Sequence, residues 1–411
     1  MNKKIYTVSL AIVFGWLSYS QTNNLTSSPY SLFGLGVESN SGTGRNNGLG
    51  KTGIALDASY GLNLYNTASI ATLPTDEFFL DVGGSIELVN FSGGDINEQQ
   101  SNFNFTNVSF GFNDGGKYGI AFTLKPATSV GYSLTGLQSN IEGSAEQFIT
   151  NIEGSGGLNE IRLDYGRTFF DNLNLGIKAS YLFGKIEETE SIVTTNSYLE
   201  VNEINYYRGG QIGLGAQYKL LDKHNFGFTL DFPTVLQGSK DEVIGKYSNL
   251  AYSVLEETED EDIDSFQMPL RFGFGYSTKI KNVMLTLDYS KNLWSTTNQS
   301  DAIGDYVDQN IYGFGASYSV DPKSSKYWKR VDYRMGLNYN SGYLMVDDTK
   351  IDTYAASIGI GLPLGKRSLL NVSYTLGKKG TTESILIKEY VNTLNINISL
   401  SDLWFQQRKY N

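Results

Sequence analysis

Seven carboxylates crowd into nine residues of this chain: Glu256, Glu257, Glu259, Asp260, Glu261, Asp262 and Asp264, interrupted by Thr258 and Ile263. Hard cations favour carboxylate oxygens, so such a run could hold divalent ions loosely at a lipopolysaccharide surface. It lacks the ligand order and the turn glycine of an EF-hand loop. Contact with a partner protein is a second reading, and a self-repelling solvated loop is the third. A different set of charges is scattered among apolar neighbours: Glu160, Arg162, Asp164, Lys178, Asp231, Arg271, Asp288, Asp332 and Arg334. Their phase puts them on one face of extended segments. Mixed signs on neighbouring segments suit ion pairs that brace an interior or clamp a plug, or a polar constriction that selects solutes.

Other chemistry is scarce. With Cys 0 and His 1, thiol catalysis, disulfide frameworks and Cys/His metal centres are excluded. The one histidine, His224, falls in an expected tight turn at 221–225, where an exposed turn residue is the plain reading. Phe272-Gly273-Phe274-Gly275 and Ile358-Gly359-Ile360-Gly361 are strand texture and not phosphate loops, because no helix follows them. No enzymatic activity, metal or cofactor is expected. A formal charge of -11 also argues against nucleic acid, whose phosphates need a basic face.

The elements that must position these residues are strands. Gly at 45 of 411 is above the usual ~7%, and Pro at 7 is below the usual ~5%. Charged residues reach only 18% against a usual ~25%, while Tyr 28, Phe 22 and Trp 4 make the chain aromatic. Residues 1–20 combine the basic Asn2-Lys3-Lys4 start, an apolar stretch and Ser18-Tyr19-Ser20, the layout of a secretory signal peptide. No later apolar run approaches the ~20 residues of a membrane helix. Instead, apolar and polar residues alternate. Val331, Tyr333, Met335, Leu337 and Tyr339 oppose Asp332, Arg334, Gly336 and Asn338. Leu394, Ile396, Ile398 and Leu400 oppose Asn395, Asn397 and Ser399. A strand with lipid on one side and a wet lumen on the other must alternate in this way over ~10 residues.

The fold class expected is all-β, a transmembrane antiparallel β-barrel at 76–405 with about fourteen strands and a short periplasmic tail at 406–411. Strands are expected near 76–92, 101–113, 117–135, 157–170, 173–190, 203–220, 225–240, 264–279, 282–296, 308–320, 328–341, 351–363, 367–379 and 388–402. Long polar stretches between them, such as 135–156, 190–203 and 240–264, read as outer loops. The 135–156 stretch has room for a further hairpin. Residues 21–75 precede the first strand and carry too much apolar surface to remain in water, so they read as a hatch or plug inside the lumen.

Within that segment, Ser28-Pro29-Tyr30-Ser31-Leu32-Phe33-Gly34-Leu35-Gly36 and Tyr65-Asn66-Thr67-Ala68-Ser69-Ile70-Ala71 resemble the start of FadL-like outer-membrane proteins. The closer resemblance is to the Bacteroidota branch with the PorV-type barrels. It extends over the mature chain as pattern, through Glu153-Gly154-Ser155-Gly156-Gly157-Leu158-Asn159 to Trp404-Phe405-Gln406-Gln407-Arg408-Lys409-Tyr410. The resemblance implies a fourteen-stranded barrel with a hatch carried by Phe33, Gly34, Gly36, Asn66, Thr67 and Ala68. The family often has Asn-Pro-Ala where this chain has Asn66-Thr67-Ala68, so the rigid proline turn is missing. Two functions follow as expectations. One is passage of small hydrophobic molecules, with a ligand admitted near Tyr132 and Phe148 or near Tyr247 and Tyr252. The other is a non-transporting accessory barrel in a secretion or barrel-assembly machine. The partners implied are outer-membrane lipid and lipopolysaccharide, other envelope proteins and a hydrophobic ligand.

Overall fold

The computed structural model describes residues 26–403, apart from 40–41, 60, 94–95, 115, 117, 141–146, 194–197, 222, 249–250, 302, 322–323, 366 and 384. The expected signal peptide and the C-terminal tail lie outside the described residues. Alternation produces the expected result: a closed antiparallel barrel of fourteen strands. The strands are β1 Glu77–Gly93, β2 Ile96–Asp114, β3 Tyr118–Pro126 continuing as Thr128–Asn140, β4 Gln147–Phe169, β5 Leu173–Val193 and β6 Tyr198–Leu220. Next come β7 His224–Asp231 continuing as Thr234–Ser248, β8 Ala251–Met268 continuing as Arg271–Ile280, β9 Val283–Asn292 and β10 Gln309–Ser319. The last four are β11 Asp332–Asn340, β12 Thr353–Pro363, β13 Leu369–Lys379 and β14 Lys388–Leu403. Closure runs from Glu77 opposite Leu403 to Ser92 opposite Lys388.

Outward positions are apolar and bare: Leu163, Ile177, Leu287, Met335, Leu337 and Ile358 are each 46–63% exposed. So broad an apolar surface suits a hydrocarbon environment and not water. Among the described residues no helix is long and apolar enough to cross a membrane. Tight turns at one end mark the periplasmic rim, as is usual for bacterial barrels.

The upper wall corrects the expectation of long polar loops. Residues 135–156, 190–203 and 240–264 are largely strand. β4, β5 and β6 run 23, 21 and 23 residues, against ~10 needed to cross a bilayer. The acidic run therefore lies on β8, paired with β7 in a tall hairpin, and not in a loop. Above the membrane both sheet faces meet water, so the period-2 signal fades and strand reads as loop. Among the described residues, the 135–156 stretch supplies taller strands and no additional pair.

Three prolines break the wall where continuous strands are expected. Pro126, Pro233 and Pro269 sit at the interruptions of β3, β7 and β8. Proline cannot donate a ladder hydrogen bond. Above Val108 opposite Leu124, β2 and β3 no longer pair. The freed edge of β3 is met from inside by a two-residue strand, Val37–Glu38, opposite Ser129 and Thr128. A second seam opens between β8 and β9 above Arg271 opposite Asn292. There, Gln299 caps the free edge of β8 with its amide: the Gln267 N–H donates to Oε1 at 2.6 Å, and Nε2 donates to the Gln267 carbonyl at 3.0 Å.

Candidate functional site

Residues 26–75 fill the barrel, and they do so in two different ways. The lower part, nearest the periplasm, is held against the backbone of the wall. Asn66 caps the short helix Thr67–Thr72 by accepting from the Ala68 N–H at 3.0 Å. Its amide donates to the carbonyls of Ile54 at 2.8 Å, Ala216 at 3.1 Å and Phe228 at 3.3 Å. The Thr67 hydroxyl donates to the Ile177 carbonyl at 3.1 Å. Ala68 has no exposed surface. So the Asn66-Thr67-Ala68 turn is fastened to β5, β6 and β7 without a proline, and Thr67 makes a bond that proline could not. Below it, Leu62, Ile70 and Leu73 pack with Phe79 and Ala121 of the wall in a small apolar core.

The upper part is held by side chains. Phe33 joins Trp294, Tyr306, Leu344 and Val346 in a buried cluster built by the outer loops. Gly34 and Gly36 have φ of +60° and +92°, which glycine adopts without strain. The Gly34 N–H donates to Asp301 Oδ2 at 2.8 Å, and the Tyr306 hydroxyl donates to the same oxygen at 2.7 Å. Trp294 stacks on Tyr343 at 4.7 Å between ring centres. Burial, and then the Asp301 carboxylate, push the Tyr306 phenol well above the usual tyrosine range. Burial does the same to Tyr343. This aromatic lid closes the outer mouth of the lumen.

The nine lumen charges separate into contacts with the wall and contacts with the hatch. Glu160 meets Lys125 at 3.2 Å and accepts from the Ser180 hydroxyl at 2.6 Å. Arg162 pairs with Asp164 at 2.5 Å and donates from Nη1 to the Leu64 carbonyl of the hatch at 2.9 Å. Lys178 meets Asp231 at 2.8 Å. Glu160, Arg162, Lys178, Asp231 and Arg271 line one cavity of about 220 Å³. Arg271 pairs with Glu38 of the hatch at 2.6 Å. Asp288 accepts two hatch backbone N–H groups, from Gly53 at 2.6 Å and Ile54 at 2.9 Å. Asp332 pairs with Arg334 at 2.7 Å, and Arg334 donates onward to Asn371 at 2.7 Å.

Between lid and hatch remains a cavity of about 480 Å³ whose wall includes Lys51, Glu87, Asp288, Lys379 and Glu389. Burial pulls the Lys51 ammonium below its usual range, and Glu87 opposes that shift. The cavity also reaches Phe105 and Pro126 at the β2–β3 seam. Sequence reading missed Glu38, Asp81, Glu87, Lys379 and Glu389. Asp81 is 1% exposed and accepts from Asn107 and Asn397, each at 2.7 Å. Its inward phase between Leu80 and Val82 was the available signal. The carboxylates from Glu256 to Asp264 stand apart, all exposed on β8. Among the described residues no group of three or more Asp, Glu or His converges on a metal position. Of the expected ligand-admitting residues, Tyr247 and Tyr252 are exposed, with ring centres 4.7 Å apart and planes tilted by 45°, and Tyr132 donates to Glu188.

A closed fourteen-stranded barrel with an inner N-terminal segment is a FadL-like fold. The toluene transporter TodX of Pseudomonas putida superposes with a TM-score of 0.62 at 12% identity, covering 90% of this chain and 100% of that one. The monoaromatic hydrocarbon channel CymD gives 0.58 at 14% identity, with 90% and 100% covered. A FadL homologue of Pseudomonas aeruginosa gives 0.58 at 11%, with 89% and 99% covered. At such identities the likeness concerns the fold. A search of the curated proteins by sequence returned no match. The family model described as BamG matches residues 1–411, and the chain belongs to the BamG family.

Proposed function

We propose that this protein is a non-transporting accessory barrel that works with the barrel-assembly machine of the outer membrane, and not an enzyme. Membership of the BamG family carries the reading. The lumen supports it: among the described residues the hatch, the aromatic lid and cavities lined by charged side chains occupy it. The narrower resemblance to PorV-type barrels fits the same role. Purification from native membranes in mild detergent tests it. Subunits of the barrel-assembly machine should accompany the protein in fixed proportion, and a barrel that is consistently solitary would overturn the proposal.

A second reading, passage of small hydrophobic molecules, is favoured by the β2–β3 seam, which meets the lumen cavity at Phe105 and Pro126. It requires reconstituted vesicles to take up a monoaromatic hydrocarbon faster than empty ones. Equal rates would remove it.

A further inference from the structure

The wall of β7 to β14 is indented on its lipid side. Inward positions at this level are small, among them Gly227, Gly275 and Gly313. A Cβ at Gly313 would meet Thr52 of the hatch at 2.6 Å, and one at Gly275 would meet Ile54 at 2.7 Å. The wall therefore lies directly on the hatch, and its outer face is left concave. The result is an apolar groove of about 1100 Å³.

Side-chain register gives the groove its direction. One border is a ladder of directly opposed residues: Tyr289 and Tyr312, Tyr312 and Tyr339, then Tyr339 and Tyr354. It ends on Lys378, opposite Tyr354 on one side and Tyr390 on the other. Leu287, Phe314, Leu337 and Leu376 form the other border. A line across tilted strands climbs through the membrane. The groove begins at Phe226, close to the periplasmic start of β7, and finishes at Tyr390, close to the outer start of β14. It thus crosses the hydrocarbon layer diagonally and ends at the outer interface.

The outer end is basic. Lys378 is exposed, and Lys388 holds its ammonium 5.3 Å from the centre of the Tyr390 ring. Among the described residues neither makes an ion pair. Lysine is a point-charge binder of phosphate. Shape favours a hydrocarbon chain over a protein. Eight strands at ~4.8 Å span roughly 35 Å, so the groove is long, and it is lined by single rows of side chains on each border, whereas packed sheets need ~10 Å of separation.

We propose that this groove is a binding site for a phosphate-bearing lipid of the outer leaflet. Its headgroup sits between Lys378 and Lys388, and an acyl chain descends along the tyrosine ladder. The site is separate from the lumen and stands whether or not the barrel-assembly reading holds.

The test uses the full-length protein in phosphatidylcholine vesicles carrying spin-labelled phosphatidic acid or spin-labelled phosphatidylcholine. The wild type should immobilise phosphatidic acid severalfold more than phosphatidylcholine. Lys378→Gln with Lys388→Gln should bring that ratio close to one, and Ala356→Trp, on an exposed groove position, should reduce the immobilised fraction of both lipids. Heat-modifiable migration in gels confirms that each variant is folded; Lys378 is exposed and Lys388 half-buried. A wild type without preference, or a lysine double variant that keeps it, would overturn the proposal. So would a photoreactive side chain at position 356 that captures a protein in native membranes and no lipid.

Discussion

The two ends of the hatch are fastened by different physics. Its lower half lies against bare backbone of the wall, with Asn66 bonded to strand carbonyls and Gly50 pressed on Gly336. Its upper half hangs from side chains: the Phe33 cluster, the Asp301 carboxylate and the Arg271–Glu38 pair. Backbone contact tolerates almost no added volume, whereas aromatic packing and ion pairs can come apart one at a time. The lower half should therefore behave as part of the barrel, and the upper half as part of the loops.

The largest expected effect breaks the lower contact. A Cβ at Gly336 would fall on the backbone of Leu49 and Gly50. Gly336→Val therefore has to displace either the wall or the hatch. It should destabilise the barrel by about 3 kcal/mol, the upper range for forced overpacking. The midpoint of urea unfolding in vesicles, followed by gel migration, reads it. An unchanged midpoint would show that the hatch backbone yields, and the contrast between the halves would fail.

A smaller change separates the polar anchor from the packing. Asn66→Ala removes a cap and leaves carbonyls of Ile54, Ala216 and Phe228 without their donor. Loss of a cap costs ~1 kcal/mol, and unmet buried groups add to it, so about 2 kcal/mol is expected. Thr67→Pro, which introduces the Asn-Pro-Ala turn that the FadL-like resemblance implies, should cost less than ~1 kcal/mol, because proline is tolerated in a first helical turn. Protease cleavage within 61–73 should rise for the alanine variant alone. Equal sensitivity of both variants would mean that the Thr67 hydroxyl anchors the turn as strongly as Asn66 does.

Sequence pattern alone reached the membrane-spanning half of this fold because lipid and lumen impose opposite demands on alternate residues. The stripe Tyr333, Met335, Leu337 and Tyr339 shows this directly, and the phase of Arg162, Asp288 and Arg334 follows from it. The pattern failed where both faces of a strand are wet. The run from Glu256 to Asp264 looks like a loop because nothing apolar marks a buried side. Its place on the edge of β8 is visible only through pairing: β7 lies on one side, and among the described residues no strand pairs with the run on the other. Charges and a bulge at Glu259 and Asp260 are the usual means of keeping such an edge from pairing with another chain. The wall breaks were missed, because the strands were expected to run on through 126, 233 and 269, although three of only 7 prolines mark them. The hatch contacts were not legible either. That Asp288 would receive the N–H groups of Gly53 and Ile54 depends on threading across 235 positions, which no local pattern encodes.

The smallest expected effect is a difference in alkaline response between the halves. Tyr30, Tyr306 and Tyr343, all in the upper region, are held above the usual phenol range, chiefly by burial. Among the described residues of the lower half, Tyr65 is shifted in this way. A phenol with a raised value in the fold keeps its proton after the unfolded chain has lost it. Its stabilisation is therefore complete below the unfolded value near pH 10 and fades as pH rises towards the folded value. Raising the pH from about 8 to about 11 should thus cost the upper half more than the lower. Hydrogen exchange should show 26–38 losing protection before 61–73. Tyr306→Phe removes the phenol beside Asp301, so it should narrow that gap while leaving the neutral-pH pattern of 61–73 unchanged. If both segments open together in the wild type, the hatch moves as one body, and its two fastenings are mechanically a single one.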